Sequence, residues 1–140
     1  EKTVSTSTTR TIADILLPPE AIPVVPPRTL VKEALEKMSA SKLGLACIVD
    51  DDGRLIGLFT DGDLRRLLLR SQKPLSALFA DDIIDHARRE FTSVRADTSI
   101  DDALNLLQER EIFDLPVLDE GGHLQGLIHL HPALRALLGE

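Results

Sequence analysis

The sequence predicts a mixed α/β fold of the α+β kind: two β-α-β-β-α repeats packed into one pseudo-symmetric module. Three observations predict it. A shift of 69 residues lays the chain on itself, carrying Val25 onto Val94, Thr29 onto Thr98, Ala34 onto Ala103 and Leu35 onto Leu104. It also carries Asp50 onto Asp119, Gly53 onto Gly122, Leu55 onto Leu124, Gly57 onto Gly126 and Leu58 onto Leu127. Turn glycines and apolar positions recur in the same order, which marks duplication rather than shared composition. Within each copy, apolar residues at helical spacing give way to short apolar runs separated by an Asp/Gly turn.

The elements follow in order. Residues 1–11 are rich in Ser and Thr and read as a linker, so the chain is expected to be an excised piece of something longer. The first repeat is expected over residues 12–70, a connector with Pro74 over 71–82, and the second repeat over 83–140. Each copy opens on a short extended segment, residues 22–25 and 91–94. An amphipathic helix follows, with Val31, Ala34, Leu35 and Met38 on one face in copy one and Ile100, Ala103, Leu104 and Leu107 in copy two. Thr29, and Thr98 or Ser99, suit the N-caps. Buried strands are expected at 45–49 and 115–118. Tight turns through Gly53 and Gly122 lead to return strands at 55–60 and 124–129. Helices over about 63–70 and 132–138 close the copies, with Pro132 tolerated in a first turn. A lone unit of about 60 residues buries little surface, so the two copies are expected to share a core.

Composition narrows the function. The chain is 43% hydrophobic and 28% charged, which is globular. Four Phe with no Trp or Tyr leave the core to Leu, Ile, Val and Ala. A formal net charge of −7 disfavours a nucleic-acid partner but not a single nucleotide. The lone cysteine, Cys47, lies in an apolar run and reads as a buried small hydrophobe, consistent with a reducing compartment. There is no apolar stretch of membrane-spanning length and no signal-peptide pattern, so no membrane partner is expected and the cytoplasm is the expected location.

The chemistry concentrates where the second hairpin strand of copy one runs into a helix, at Gly57-Leu58-Phe59-Thr60-Asp61-Gly62-Asp63. Two readings fit. Thr60, Asp61 and Asp63 are favoured helix-capping residues. Equally, a strand-to-helix junction offers free backbone N–H groups and a positive dipole end to an anion. There the Thr60 hydroxyl could meet a phosphate and the Asp63 carboxylate the adjacent hydroxyls of a ribose.

That motif, Gly-hydrophobic-x-Thr-x-x-Asp after a hairpin inside a duplicated β-α-β-β-α unit, resembles the ligand motif of cystathionine-β-synthase-type (CBS) domains. The resemblance covers nearly the whole chain from Ile12. It implies a regulatory ligand-binding module in which Thr60 meets phosphate, Asp63 holds ribose, and the base lies in an apolar slot near residues 21–24 and 44–46. Ile22, Pro23, Gly44, Leu45 and Ala46 are the candidate slot residues, with Asp61 and Lys42 beside them. Phe59 to Arg66, Lys42-Leu43-Gly44-Leu45 and Leu127-Ile128-His129-Leu130-His131 are similar to the C-terminal CBS pair of sugar-phosphate isomerases of the arabinose-5-phosphate isomerase type. That similarity implies an N-terminal sugar-isomerase (SIS) domain as partner, with the catalysis in it, and a place in Kdo and lipopolysaccharide biosynthesis. The implied ligand is CMP-Kdo, CMP, AMP or ATP, and a homodimer of CBS pairs is expected.

Copy two departs from the motif. His129 stands for Thr60, Pro132 for Asp63 and Glu111 for Lys42. The ribose clamp is lost there. His129 and His131, two apart on a strand-like segment, would point the same way. They read either as a polar pair at a helix start or as residues reaching the ligand of copy one. They lack a third partner at metal-ligand spacing, and no cofactor or metal is expected. Arg65, Arg66 and Arg70 fit a solvated helix face, a dimer contact or aid to an anionic ligand. No nucleophile–base arrangement or Gly-rich phosphate loop with Lys is present, so this fragment is not expected to be an enzyme. The alternative expectations are a structural oligomerisation module with a degenerate site, and a CBS pair from a different host.

Overall fold

The computed structural model describes residues 10–139; residues 1–9 of the expected linker lie outside the described residues. Copy one contains β1 (Val24–Val25), α1 (Val31–Ser41), β2 (Leu45–Val49), β3 (Leu55–Thr60) and α2 (Asp61–Arg70). A short helix, α3 (Leu75–Phe79), forms inside the expected connector. Copy two contains α4 (Ile100–Arg110), β4 (Asp114–Leu118), β5 (Leu124–His129) and α5 (Leu130–Leu137).

The two amphipathic helices bury the faces their spacing dictates: Val31, Ala34 and Met38 on α1, Ile100, Ala103 and Leu107 on α4. Both end on a left-handed residue at equivalent positions, Lys42 (φ 63°) and Glu111 (φ 56°). Their N-termini differ. Ser99 caps α4, its hydroxyl accepting from the Asp102 amide at 3.0 Å. Thr29 does not cap α1. The N-cap is Leu30, whose amide donates to the Glu33 carboxylate at 3.2 Å. The closing helices also start earlier than residues 63 and 132, because each begins directly where its strand ends, at Asp61 and Leu130.

β1 runs parallel to β2, and β2 antiparallel to β3, in a three-stranded sheet of order β1-β2-β3. β4 and β5 form the equivalent hairpin. The duplication extends to register. Val25 pairs with Ile48 and Val94 with Val117, and each hairpin slips at the same place, after Ile48 and after Val117. The extended segment of copy two is only that single Val94 bridge, shorter than residues 91–94.

The compact units do not coincide with the repeats. One unit is Glu20–Phe91; the other joins the residues up to Pro19 to those from Thr92 onward. Each unit is completed by the segment that precedes the other copy's helices in the chain. The Ile12 amide donates to the Thr98 carbonyl at 2.9 Å, and the Ile83 amide to the Thr29 carbonyl at 2.7 Å. Leu17 and Leu127 exchange two backbone bonds at 2.8 and 2.9 Å; Arg88 and Leu58 exchange two at 2.9 and 3.0 Å. These additions satisfy polar groups along β5 and β3 that a bare hairpin edge would leave open. They also insert Ile12 and Ile83, both fully buried.

Each unit has its own core. Val25, Val31, Ala46, Ile48, Phe59, Leu78 and Ile83 anchor one; Ile12, Ala103, Leu107, Leu115, Val117 and Ile128 anchor the other. The exchanged segment supplies the surface that each repeat lacks alone.

Candidate ligand site

The site of copy one is built by β2, β3 and the start of α2. Leu45 pairs with Thr60 and Ala46 with Phe59 across the hairpin. Gly44 sits just before β2 at φ 75°, a conformation that disfavours side chains. Its carbonyl accepts from the Asp61 amide at 2.9 Å. A Cβ on Gly44 would lie 2.8 Å from Asp61 Oδ2. On the other side of β2, the Pro23 carbonyl accepts from the Cys47 amide at 2.8 Å. Ile22 and Pro23 are buried. Gly44, Leu45, Ala46, Pro23, Thr60 and Asp61 are thus joined through one strand and its neighbours. Lys42 is exposed at the end of α1.

Thr60 and Asp63 form a reciprocal cap. Thr60 Oγ1 accepts from the Asp63 amide at 3.1 Å, while Asp63 Oδ2 accepts from the Thr60 amide at 2.9 Å and from the Thr60 hydroxyl at 3.0 Å. The capping reading of these residues therefore holds in this structure. Asp63 is only 7% exposed. Two guanidiniums complete its shell: Arg66 Nη2 at 2.6 Å from Oδ1, and Arg88 Nε at 3.1 Å from Oδ1 and 3.2 Å from Oδ2. Burial pushes the Asp63 carboxyl up. The Arg66 bond, the two Thr60 bonds and the nearby Arg88 charge outweigh it and hold the group below its ordinary value.

The sequence reading missed Arg88. Its signal was non-local: it reaches Asp63 only because its backbone pairs with Leu58, on the same strand as the motif.

His129 and His131 belong to the other unit. They do not share a strand: His129 ends β5 and His131 lies in α5, their ring centroids 5.9 Å apart and tilted by 58°. His129 is engaged locally, Nδ1 lying 2.6 Å from Asp114 Oδ1. Asp114 and His129 face each other across β4 and β5 as Leu45 and Thr60 do across β2 and β3. The apolar–hydroxyl pair of copy one has become a carboxylate–imidazole pair. Burial pushes the Asp114 carboxyl above its ordinary value, against the pull of His129. His86 and His123 also have carboxylate partners, Asp81 at 2.8 Å and Asp119 at 3.0 Å. Among the described residues no group of three or more metal-ligating side chains comes together, and no helix is long and apolar enough to cross a membrane.

Comparison with known proteins agrees with this architecture. The CBS domain family model matches twice, over residues 12–70 and 80–139. The chain is 38% identical over 125 residues to an arabinose 5-phosphate isomerase KdsD of Yersinia pestis and 35% identical to that of Escherichia coli K12. Those matches cover 89% of this chain but 37% of each relative. Among solved structures, CBSX2 in complex with AMP superposes with TM-score 0.81 at 32% identity, over 93% of this chain and 97% of that one. CBSX2 from Arabidopsis thaliana gives TM-score 0.80, also at 32% identity, over 94% and 96%. The duplicated register, the exchanged segments and the two matches of the family model lead to one assignment: the chain is a tandem pair of CBS repeats and belongs to the CBS domain family.

Proposed function

We propose that this CBS pair is a regulatory module that senses a ribonucleotide or nucleotide sugar on behalf of a sugar-phosphate isomerase. The observation that carries the reading is the buried Asp63, bonded to Thr60 at the strand-to-helix junction where the Asp61 amide donates to the Gly44 carbonyl. A structural relative at 32% identity is in complex with AMP, which supports a nucleotide as ligand. Identity to the KdsD isomerases supports an isomerase as host; an attached SIS domain carrying that chemistry, and the cytoplasm as location, belong to the same proposal. In that host the end-product nucleotide sugar CMP-Kdo is the fitting ligand; AMP, ATP and CMP are the alternatives. Ligand binding would bias the attached enzyme by favouring one arrangement of the pair. A homodimer of CBS pairs belongs to the same reading.

The roles proposed for the residues are Asp63 on the ribose, Thr60, Lys42 and backbone N–H groups on phosphate, and Ile22, Pro23, Gly44, Leu45 and Ala46 around the base. Copy two lacks a carboxylate at the Asp63 position, so one site per chain is expected. Isothermal titration of the chain with CMP-Kdo, CMP, AMP and ATP tests this. Saturable binding of at least one, near one per chain, is the expected result; silence from all four at millimolar concentration overturns it.

A second reading has its own observation. Both oxygens of Asp63 are already occupied by Thr60, Arg66 and Arg88, as befits a structural cap. Under it the pair holds its host in an oligomer and binds nothing. The same titration, with the mass of the host measured with and without residues 12–139, separates the two.

A further inference from the structure

We propose that Arg88 is a latch on Asp63 that makes the site select phosphorylated ribonucleosides over bare nucleosides; this rests on the nucleotide-sensing reading above. Oδ2 accepts from the Thr60 amide and hydroxyl and from Arg88 Nε; Oδ1 accepts from Arg66 Nη2 and also lies 3.1 Å from Arg88 Nε. A carboxylate offers about four acceptor positions in all. The two hydroxyls of a ribose can therefore reach Asp63 only by displacing a guanidinium. The Thr60 bonds cannot be given up cheaply, because they cap α2. The arginines are the mobile partners: their side chains are 62% (Arg66) and 47% (Arg88) exposed, against 7% for Asp63.

The two arginines differ in how they are held. Arg66 stands one turn along the same helix as Asp63 and keeps that carboxylate within reach. Arg88 comes from a separate segment, whose backbone is clamped to Leu58 by two hydrogen bonds at 2.9 and 3.0 Å. Its Cα is fixed while its side chain is half exposed. A guanidinium removed from Asp63 loses a charge-assisted bond, and a phosphate on the incoming ligand restores one with bidentate geometry. A nucleoside offers the hydroxyls but no anion, so it must displace Arg88 without replacing its partner. The net exchange is carboxylate for phosphate at Arg88 and guanidinium for diol at Asp63.

The test compares AMP with adenosine and CMP with cytidine by titration calorimetry, on the full chain and on its Arg88→Ala and Arg88→Lys variants. Thermal melts confirm that the variants fold. The latch predicts that Arg88→Ala tightens the nucleoside and weakens the nucleotide. The ratio of their dissociation constants then falls by about tenfold or more, and Arg88→Lys restores part of it. An equal change for both ligands, or an unchanged ratio, overturns the latch and leaves nucleotide sensing standing. Absence of binding by AMP and CMP to the unaltered chain overturns the latch; if CMP-Kdo and ATP are silent as well, the sensing reading falls with it.

Discussion

At the scale of single residues, two aspartates carry opposite pH behaviour. Asp63 is the buried charged side chain among the described residues. Burial alone would raise its pKa, but Arg66, Thr60 and Arg88 leave it depressed. A depressed folded value means stability that is fully present above the unfolded value and is lost as pH falls through the folded one. Asp114 is the reverse: its value is raised, mainly by burial. Its contribution is present below the unfolded value and is lost as pH rises through the folded one. We expect urea unfolding of Asp63→Asn to show a flatter loss of stability than the parent between about pH 5 and about pH 3. A parallel pair of curves would show that the carboxylate is not held as described.

The Asp114–His129 pair yields a second prediction. Its side chains are 16% and 22% exposed and only 2.6 Å apart. His129→Thr alone leaves Asp114 without its partner and should cost about 1–3 kcal/mol. Adding Asp114→Leu reproduces the Leu45–Thr60 pair of copy one and should recover most of that loss, because a largely buried polar pair gains little over an apolar one. Chemical denaturation of the single and double variants reads this directly. This pairing was partly legible in the sequence, since the 69-residue shift sets Asp114 on Leu45 and His129 on Thr60, so both members change together. What the sequence lacked was the register that makes them face each other.

At the scale of elements, local periodicity fixed what it could reach. The return strands Leu55–Thr60 and Leu124–His129 and the buried faces of α1 and α4 stood in the apolar pattern, because burial at spacing two or three-to-four is a property of neighbouring residues. Helix starts moved by two residues, and Thr29 yielded its cap to Leu30, since helix ends are less sharply set by local pattern than helix faces. The exchanged segments were not legible: nothing near Ile12 says that its amide will bond Thr98. Their tightness can be measured. A Cβ on Gly126 would collide with the Leu17 carbonyl oxygen and lie 2.6 Å from Leu16 Cδ1. On the equivalent Gly57 the nearest atoms are at 3.3 Å. Gly126→Ala should therefore destabilise by about 1–3 kcal/mol, and Gly57→Ala by clearly less. Equal costs in urea unfolding would mean that segment 10–19 does not lie against β5 as closely as described.

At the scale of the whole molecule, the repeats are equal in architecture and unequal in chemistry. Strand register, helix ends and exchanged segments recur in both copies. The carboxylate cap of the closing helix does not: Asp63 anchors α2, and Pro132 occupies its place in α5. The sequence carried this asymmetry as far as the motif. The structure adds that Asp63 of this motif is bound by two arginines, one of them from the exchanged segment. The chain spans 37% of the length of its KdsD relatives. The central claim is that Asp63 holds the ribose of a nucleotide. Titration calorimetry of Asp63→Ala beside the parent, with the tightest of CMP-Kdo, CMP, AMP and ATP, tests it most directly, melts being recorded to confirm folding. The account predicts affinity weakened at least about tenfold, as expected for lost bonds to a charged acceptor. A folded variant that binds as the parent does would contradict it.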